Sequence, residues 1–259
     1  MIIETHCHLD YLKAHPLQEI LALSKEAGVQ KFITIGVDPE NLDAVMRLSQ
    51  NHPLIYFTQG IHPHDAKSFS SIERDKIISR AALPKMVAVG EIGLDYHYNN
   101  SPPEIQRRVF EEQLQIAVDQ DLPIVVHTRE ADDDTRDILN NFSGHLKKKG
   151  VIHSFTSGIK LAEWCLSQDF YLGFNGIITF KNARNVQEVV EMTPLEQILL
   201  ETDAPFLTPV PHRGKENAPY YLPFIAEKVA QLKNVTTEDV LKAAFNNSLL
   251  CFPKLVNQA

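Results

Sequence analysis

MIIETHCHLD, residues 1–10, sets an apolar, β-branched run directly before two histidines, His6 and His8. The run reads as a first strand, and the residues at its end separate two parallel-sheet architectures. A doubly wound open sheet carries a glycine-rich phosphate loop after its first strand. His-Cys-His stands there instead. Side chains in a strand alternate between faces, so both imidazoles point one way and Cys7 the other.

Runs of the same kind recur. Taking Met1–His6 as the first strand, others are expected at Lys31–Val37, Leu54–Gly60, Met86–Glu91, Pro123–His127, Gly150–His153, Phe170–Phe174 and Gln197–Glu201. Helical spacing separates them, at His15–Ala27, Glu40–Gln50, Ser70–Ala82, Asp132–Asn141, Ile159–Ser167 and Asn185–Glu191. A further helix is expected after Ser101-Pro102-Pro103-Glu104, which has the S-x-x-E capping-box spacing, with Phe110, Leu114, Ala117 and Val118 on one face. Two more, Pro223–Leu232 and Thr237–Asn246, come after the proline-rich loop Thr208–Pro223. Eight strands alternating with helices predict the α/β class and a parallel sheet closed into a (β/α)8 TIM barrel. One domain over residues 1–259 is expected, since barrels of about 250 residues are common.

Composition excludes several classes. A chain with 44% hydrophobic and 22% charged residues and no repeats is that of a globular protein rather than a disordered one. No stretch approaches the roughly 18 apolar residues of a membrane span, and the N-terminus lacks the basic flank of a signal peptide, so a cytoplasmic protein with no membrane partner is expected. Cys7, Cys165 and Cys251 show no C-x-x-C spacing, so any metal must use histidine and carboxylate. A net charge of −8 argues against coating nucleic acid by charge alone. It leaves open an enzyme whose pocket charge comes from metal ions.

Active sites of parallel barrels gather at the C-terminal strand ends. There the sequence places His6 and His8, Gly60-Ile61-His62-Pro63-His64, Glu91, His127, His153 and Asp203, six of the 11 histidines in all. Imidazole and carboxylate suit Zn, Mn, Co, Ni or Fe, with Mg less favoured for want of oxygen ligands. Two such ions about 3.5–4 Å apart can activate a shared water. Each residue also has an ordinary reading: His127 and His153 as capped strand ends, Asp203 as a turn former before Ala204-Pro205, Glu91 as half of a buried ion pair. A charge ending an apolar strand is costly unless paired or metal-bound, which favours the metal reading for Glu91. Asp203 stands where a general base for the water would sit. His62 and His64 are candidates for phosphate contact, as are the cations Arg129, Lys181, Arg184, Arg213 and Lys215. Tyr96, Tyr220 and Tyr221 are candidates for base stacking.

Taken in order, Thr5-His6-Cys7-His8-Leu9-Asp10, Gly60-Ile61-His62-Pro63-His64, Gly90-Glu91-Ile92-Gly93-Leu94-Asp95-Tyr96, Val125-Val126-His127-Thr128-Arg129, Ile152-His153-Ser154-Phe155-Thr156 and Leu200-Glu201-Thr202-Asp203-Ala204-Pro205 resemble the TatD-type deoxyribonucleases of the amidohydrolase superfamily. The resemblance implies a barrel with two divalent ions that hydrolyses phosphodiester bonds in DNA. It implies His6, His8 and Asp203 on one ion, His127 and His153 on the other and Glu91 shared, with Asp203 and Glu91 catalytic. His62, His64, Arg129 and Arg213 would bind substrate. Glu216 departs from the family, which commonly has a basic residue there, and this weakens the case for phosphate binding by that loop. Glu4 replaces a more usual aspartate, a difference expected to be minor.

The expected substrate is single-stranded DNA or frayed ends, because a narrow mouth on an acidic protein is poorly built for a duplex. No obligate protein partner is expected. The alternative is a metal-dependent hydrolase of an ester or amide bond, such as a D-aminoacyl-tRNA ester, since the same activated water attacks a carbonyl. A barrel that binds metal without catalysis would need closed coordination, which five or six ligands for two ions do not give.

Overall fold

A computed structural model of the chain describes residues 1–256. The domain expected to run to residue 259 thus has its last three residues outside the described ones. The elements alternate as β1 (Ile2–Cys7), α1 (Leu17–Glu26), β2 (Val29–Thr34), α2 (Asn41–Asn51), β3 (Ile55–Gln59), α3 (Ser71–Arg80), β4 (Met86–Asp95), α4 (Pro103–Asp119), β5 (Ile124–Arg129), α5 (Asp132–Ser143), β6 (Gly150–Ile152), α6 (Ile159–Ser167), β7 (Tyr171–Phe174), α7 (Arg184–Met192), β8 (Ile198–Leu200), α8 (Leu222–Lys233) and α9 (Thr237–Cys251). All strands pair in parallel, in sequential order from β1 to β8. Between β8 and β1 the barrel closes by the bridge Cys7–Ala204 and by two main-chain bonds: His8 N–H to the Ala204 carbonyl (2.7 Å) and Asp203 N–H to the His6 carbonyl (2.9 Å). The TIM barrel is the fold the sequence predicts.

Strand alternation divides the apolar residues into two cores. Ile3, Ile33, Tyr56, Val87, Val125, Val151 and Leu199 pack inside the barrel, where Phe252 and Leu255 from the C-terminal segment join them. The opposite faces, such as Phe32, Phe57, Ile124, Ile152 and Leu200, pack under the helices. Each fully buried side chain of this size contributes about 1.5–3 kcal/mol. Two residues beyond Val125, Val151 and Leu199, on the same side of the sheet, come His127, His153 and Glu201. The interior core is therefore the floor on which the polar cluster rests.

Two local expectations change. β4 does not end at Glu91 but runs to Asp95, pairing Gly93 with His127 and Asp95 with Arg129. A register shift between Val89 and Ile92 leaves Glu91 at an irregularity inside the strand, the kind of feature that re-aims a side chain. Ser101 forms no capping box: the N-cap of α4 is Pro102, and the Ser101 hydroxyl instead donates to the His64 carbonyl (2.8 Å) and accepts from Lys67 N–H. Reciprocal capping boxes form at Ser70 with Glu73 and at Thr236 with Asp239. Among the described residues, no helix is long and apolar enough to cross a membrane.

Candidate metal centre and substrate cavity

The closure of β8 on β1 builds the first half of the site. Asp203 comes after β8 with a left-handed φ of 57°, a conformation that aspartate adopts more readily than most residues. Its carboxylate Oδ1 lies 3.7 Å from His6 Nε2 and 3.6 Å from His8 Nε2. Below it, Glu4 ties the seam together, its Oε1 accepting the N–H groups of His6 and Thr202, both at 3.0 Å. Burial pushes the Glu4 carboxyl up to about 8.

The second half surrounds Glu91. Its Oε2 faces His6 Nε2 at 3.4 Å, while Oε1 faces His153 Nε2 (2.8 Å), His127 Nδ1 (3.1 Å) and His62 Nε2 (3.4 Å). The two oxygens of one carboxylate thus look toward two different sets of imidazoles. His6 and His153 stack with ring centroids 3.8 Å apart. Burial opposes the charge on Glu91, but the nearby imidazoles of His153, His62 and His127 outweigh it, so the carboxyl is held well below its usual range. Asp203 is lowered in the same way, burial being overcome by His8, His6 and His153. Burial drives His62 down to about 4. Both carboxylates are therefore anionic at neutral pH.

A divalent cation fits this donor set on a structural ground. His6 Nε2 and His153 Nε2 are wholly buried and have no hydrogen-bond partner, although a carboxylate oxygen approaches each. A buried polar nitrogen without a partner is destabilising unless something else satisfies it. Donor atoms of His6, His8 and Asp203 that could hold an ion lie within 4.8 Å of one another, as do those of His62, Glu91 and His127, and those of His6, His153 and Glu201. All six residues expected as ligands come together. His62, expected at the phosphate, stands inside the Glu91 cluster as well.

Two carboxylates without an assigned role in the sequence reading support the imidazoles from behind. Asp95 Oδ2 accepts from His127 Nε2 (2.9 Å) and His64 Nε2 (3.1 Å), leaving His127 Nδ1 turned toward Glu91. Such a carboxylate partner fixes the tautomer and orientation of a metal-binding histidine. The continuation of β4 could have revealed it, because Asp95 lies four residues past Glu91 and so shares its face. Glu201 Oε1 lies 3.5 Å from His153 Nδ1 and accepts Ser154 N–H. Gly173 makes room for it: a Cβ there would stand 2.4 Å from Glu201 Oε2. Replacing Asp95 by Asn is expected to lower divalent-metal affinity roughly 10- to 100-fold. Calorimetric titration of the metal-stripped protein checks this, and unchanged affinity would leave Asp95 without that role.

Above the cluster opens a cavity of about 770 Å³ whose lining includes His8, His62, His64, Glu91, Arg129, His153 and Asp203. The Arg129 guanidinium lies 4.8 Å over the Tyr98 ring. Arg213 is not among the lining residues and stacks on Phe180 at 3.7 Å. Arg184 pairs with Glu188 on the surface. The three tyrosines named from sequence face elsewhere: the Tyr96 hydroxyl bonds to Asp134, and Tyr220 packs on Tyr221, which in turn stacks on His212. The aromatic residues lining the cavity are Tyr11, Tyr98 and Phe206. Glu216 accepts the N–H groups of Lys13 (3.0 Å) and Ala14 (2.7 Å), so it fastens the loop after β8 to the loop after β1. A carboxylate suits that task, and a basic side chain would not.

Known proteins resemble this chain along most of its length. The sequence profile described as TatD related DNase matches residues 3–253. The chain is 37% identical over 253 residues to the uncharacterized metal-dependent hydrolase YabD of Bacillus subtilis, covering 97% of this chain and 99% of that protein. It is 34% identical to the deoxyribonuclease Tat-D of Schizosaccharomyces pombe, covering 91% of this chain and 87% of the relative. The crystal structure of YJJV, a TatD homolog from Escherichia coli K12, superposes with a TM-score of 0.91 at 29% identity, over 97% of this chain and 98% of that one. A phosphotriesterase homology protein from Escherichia coli shares the fold, with a TM-score of 0.68 at 14% identity, over 97% and 98%. With the barrel, the histidine and carboxylate clusters and relatives matched end to end, the chain belongs to the TatD-related DNase family of metal-dependent hydrolases.

Proposed function

We propose that the protein hydrolyses phosphodiester bonds in DNA, at single strands or frayed ends, with two divalent ions bound at this centre. The observation that carries the reading is Glu91, whose two oxygens face separate imidazole sets beneath a cavity that also holds Arg129 and His64. The name of the Schizosaccharomyces pombe relative supports DNA as the substrate. His6, His8 and Asp203 would hold one ion and His127 and His153 the other, with Glu91 between them. Bound Zn, Mn, Mg, Co, Ni or Fe would acidify water and offset charge on a phosphate oxygen.

The chain's own groups do the rest. Asp203, anionic at neutral pH, takes the proton from the attacking water on Oδ2 while Oδ1 stays toward His6 and His8. Arg129 receives the phosphate through its planar guanidinium, held in place on Tyr98. His62 and His64 contact the same group from the loop after β3, whereas Arg213, stacked on Phe180 outside the cavity lining, is left without a part in binding it.

One feature favours an ester as a second reading. Asp38 and Asp65 line the same cavity and would attract an ammonium group, as in a D-aminoacyl-tRNA ester. Arg129→Ala separates the two. It is expected to cut phosphodiester hydrolysis by about 100-fold or more, on the scale of a lost charge-assisted contact in the transition state, and to spare a neutral aryl ester. The test of the whole reading is metal-stripped protein, each ion restored in turn, acting on a 5′-labelled single strand, its duplex and an aryl ester, with Asp203→Ala as the control for contaminating nuclease. Metal-dependent cleavage of the strand supports the proposal. Cleavage of the ester alone moves the substrate to a carbonyl compound, and no recovery with any ion would sink the nuclease reading.

A further inference from the structure

Two large aromatic side chains at the cavity are mostly uncovered, Phe206 at 52% exposure and Tyr98 at 56%. Single exposed aromatics are ordinary on a protein surface. These two are set apart by how they are held. Phe206 N–H donates to the carbonyl of Asp203 (2.9 Å), and Tyr98 N–H donates to Asp95 Oδ1 (2.9 Å). Each ring is thus anchored through its main chain to an acid of the metal centre. The buried Asn217 side chain adds a second tie, donating to the carbonyls of Phe206 and Thr202. Tyr11 is different, because it stacks on His8 and its hydroxyl is spent on Asp38.

The barrel fixes where the rings stand. Phe206 comes after β8 and Tyr98 after β4, and four strands apart in an eight-stranded barrel is diametrically opposite. Phe206 meets the His8 ring on one side of the centre, at 6.1 Å between centroids. Tyr98 meets the His64 ring at 5.3 Å on the other and carries Arg129 on its face. Glu91 lies between these two walls.

We propose that Phe206 and Tyr98 are a pair of nucleobase platforms, each stacking one base of an unpaired strand whose scissile phosphate lies between them over Glu91. The inference rests on the phosphodiesterase reading above and names the two side chains that would hold the unpaired strand, whatever its sequence. Every base offers a π face, so stacking tolerates sequence. Bases within a duplex are paired and stacked on each other, so a duplex cannot occupy both rings without fraying.

Two experiments test it. In the first, wild-type protein with its metal binds phosphorothioate-linked oligothymidylate carrying a single 2-aminopurine, moved along the strand one position at a time. Quenching of its fluorescence is expected at two positions, one lost in Phe206→Leu and the other in Tyr98→Leu. In the second, an abasic sugar at either position is expected to raise KM roughly 5- to 100-fold with a smaller change in kcat. Each leucine variant should bring the ratio between abasic and base-bearing strands toward one at its own position. Equal KM for the two strands, or quenching that survives both substitutions, overturns the platforms. Failure to hydrolyse any strand overturns the phosphodiesterase reading instead, and the quenching experiment then decides the platforms by itself.

Discussion

An Asp203→Asn protein is expected to fold as the parent does and to lose about 10²- to 10⁴-fold in kcat on a single-stranded oligonucleotide, the usual worth of a positioned general base. The fold should survive because the main chain at Asp203, not its carboxylate, closes the barrel, through Asp203 N–H to the His6 carbonyl at 2.9 Å. Asparagine also matches aspartate in shape. What it removes is the negative charge facing His6 and His8 and the oxygen that accepts a proton. The carboxyl is held below its ordinary range by His8, His6 and His153 against the pull of burial, so the parent carries this carboxylate ionised at neutral pH, as the proposed base requires. Circular dichroism, metal content and steady-state rates measured on one preparation separate the causes. A variant that holds its metal and keeps more than about a tenth of the parent kcat would show that another group takes the proton.

Gly93→Ala is expected to lower the melting temperature by about 10 °C or more, or to prevent recovery of folded protein. Gly93 has a φ of +142°, which side chains other than hydrogen rarely allow. A Cβ built there would lie 1.9 Å from the His127 carbonyl oxygen, which is backbone and cannot rotate away. Relief requires β4 and β5 to separate at the pair Gly93–His127, between Glu91 and Asp95. Stability and the metal centre should therefore fail together. Gly144→Ala is the control, since a Cβ there meets nothing within 4 Å. Thermal unfolding of both variants checks the contrast, and equal midpoints would refute the steric account.

Much of the fold was legible because its rules are local. Two-residue alternation marked the strands, and residues such as Val125 and His127 fell on one face without reference to anything distant. Strand ends shifted by a few residues, since ladder hydrogen bonds depend on the neighbouring strand and not on the run itself. β4 is the clearest case: its extension from Glu91 to Asp95 exists through pairing with Ile124–Arg129 of β5. Ser101 shows the opposite error, a correct local pattern overridden when the loop after β3 claimed the hydroxyl.

Amino-acid order was enough to set the succession of strands and helices and to pick out which imidazoles and carboxylates stand at strand ends. Folding in three dimensions was needed to establish that Glu91 divides its oxygens between two imidazole sets, that Asp95 turns His127 Nδ1 inward, that Glu216 fastens two loops, and that Tyr98 and Phe206 rather than Tyr96, Tyr220 and Tyr221 face the cavity. The difference comes from distance along the chain. Side-chain alternation is set by neighbouring residues, whereas the meeting of His6 with Asp203, or of His127 with Asp95, exists only after β8 has closed on β1 and β4 has paired with β5.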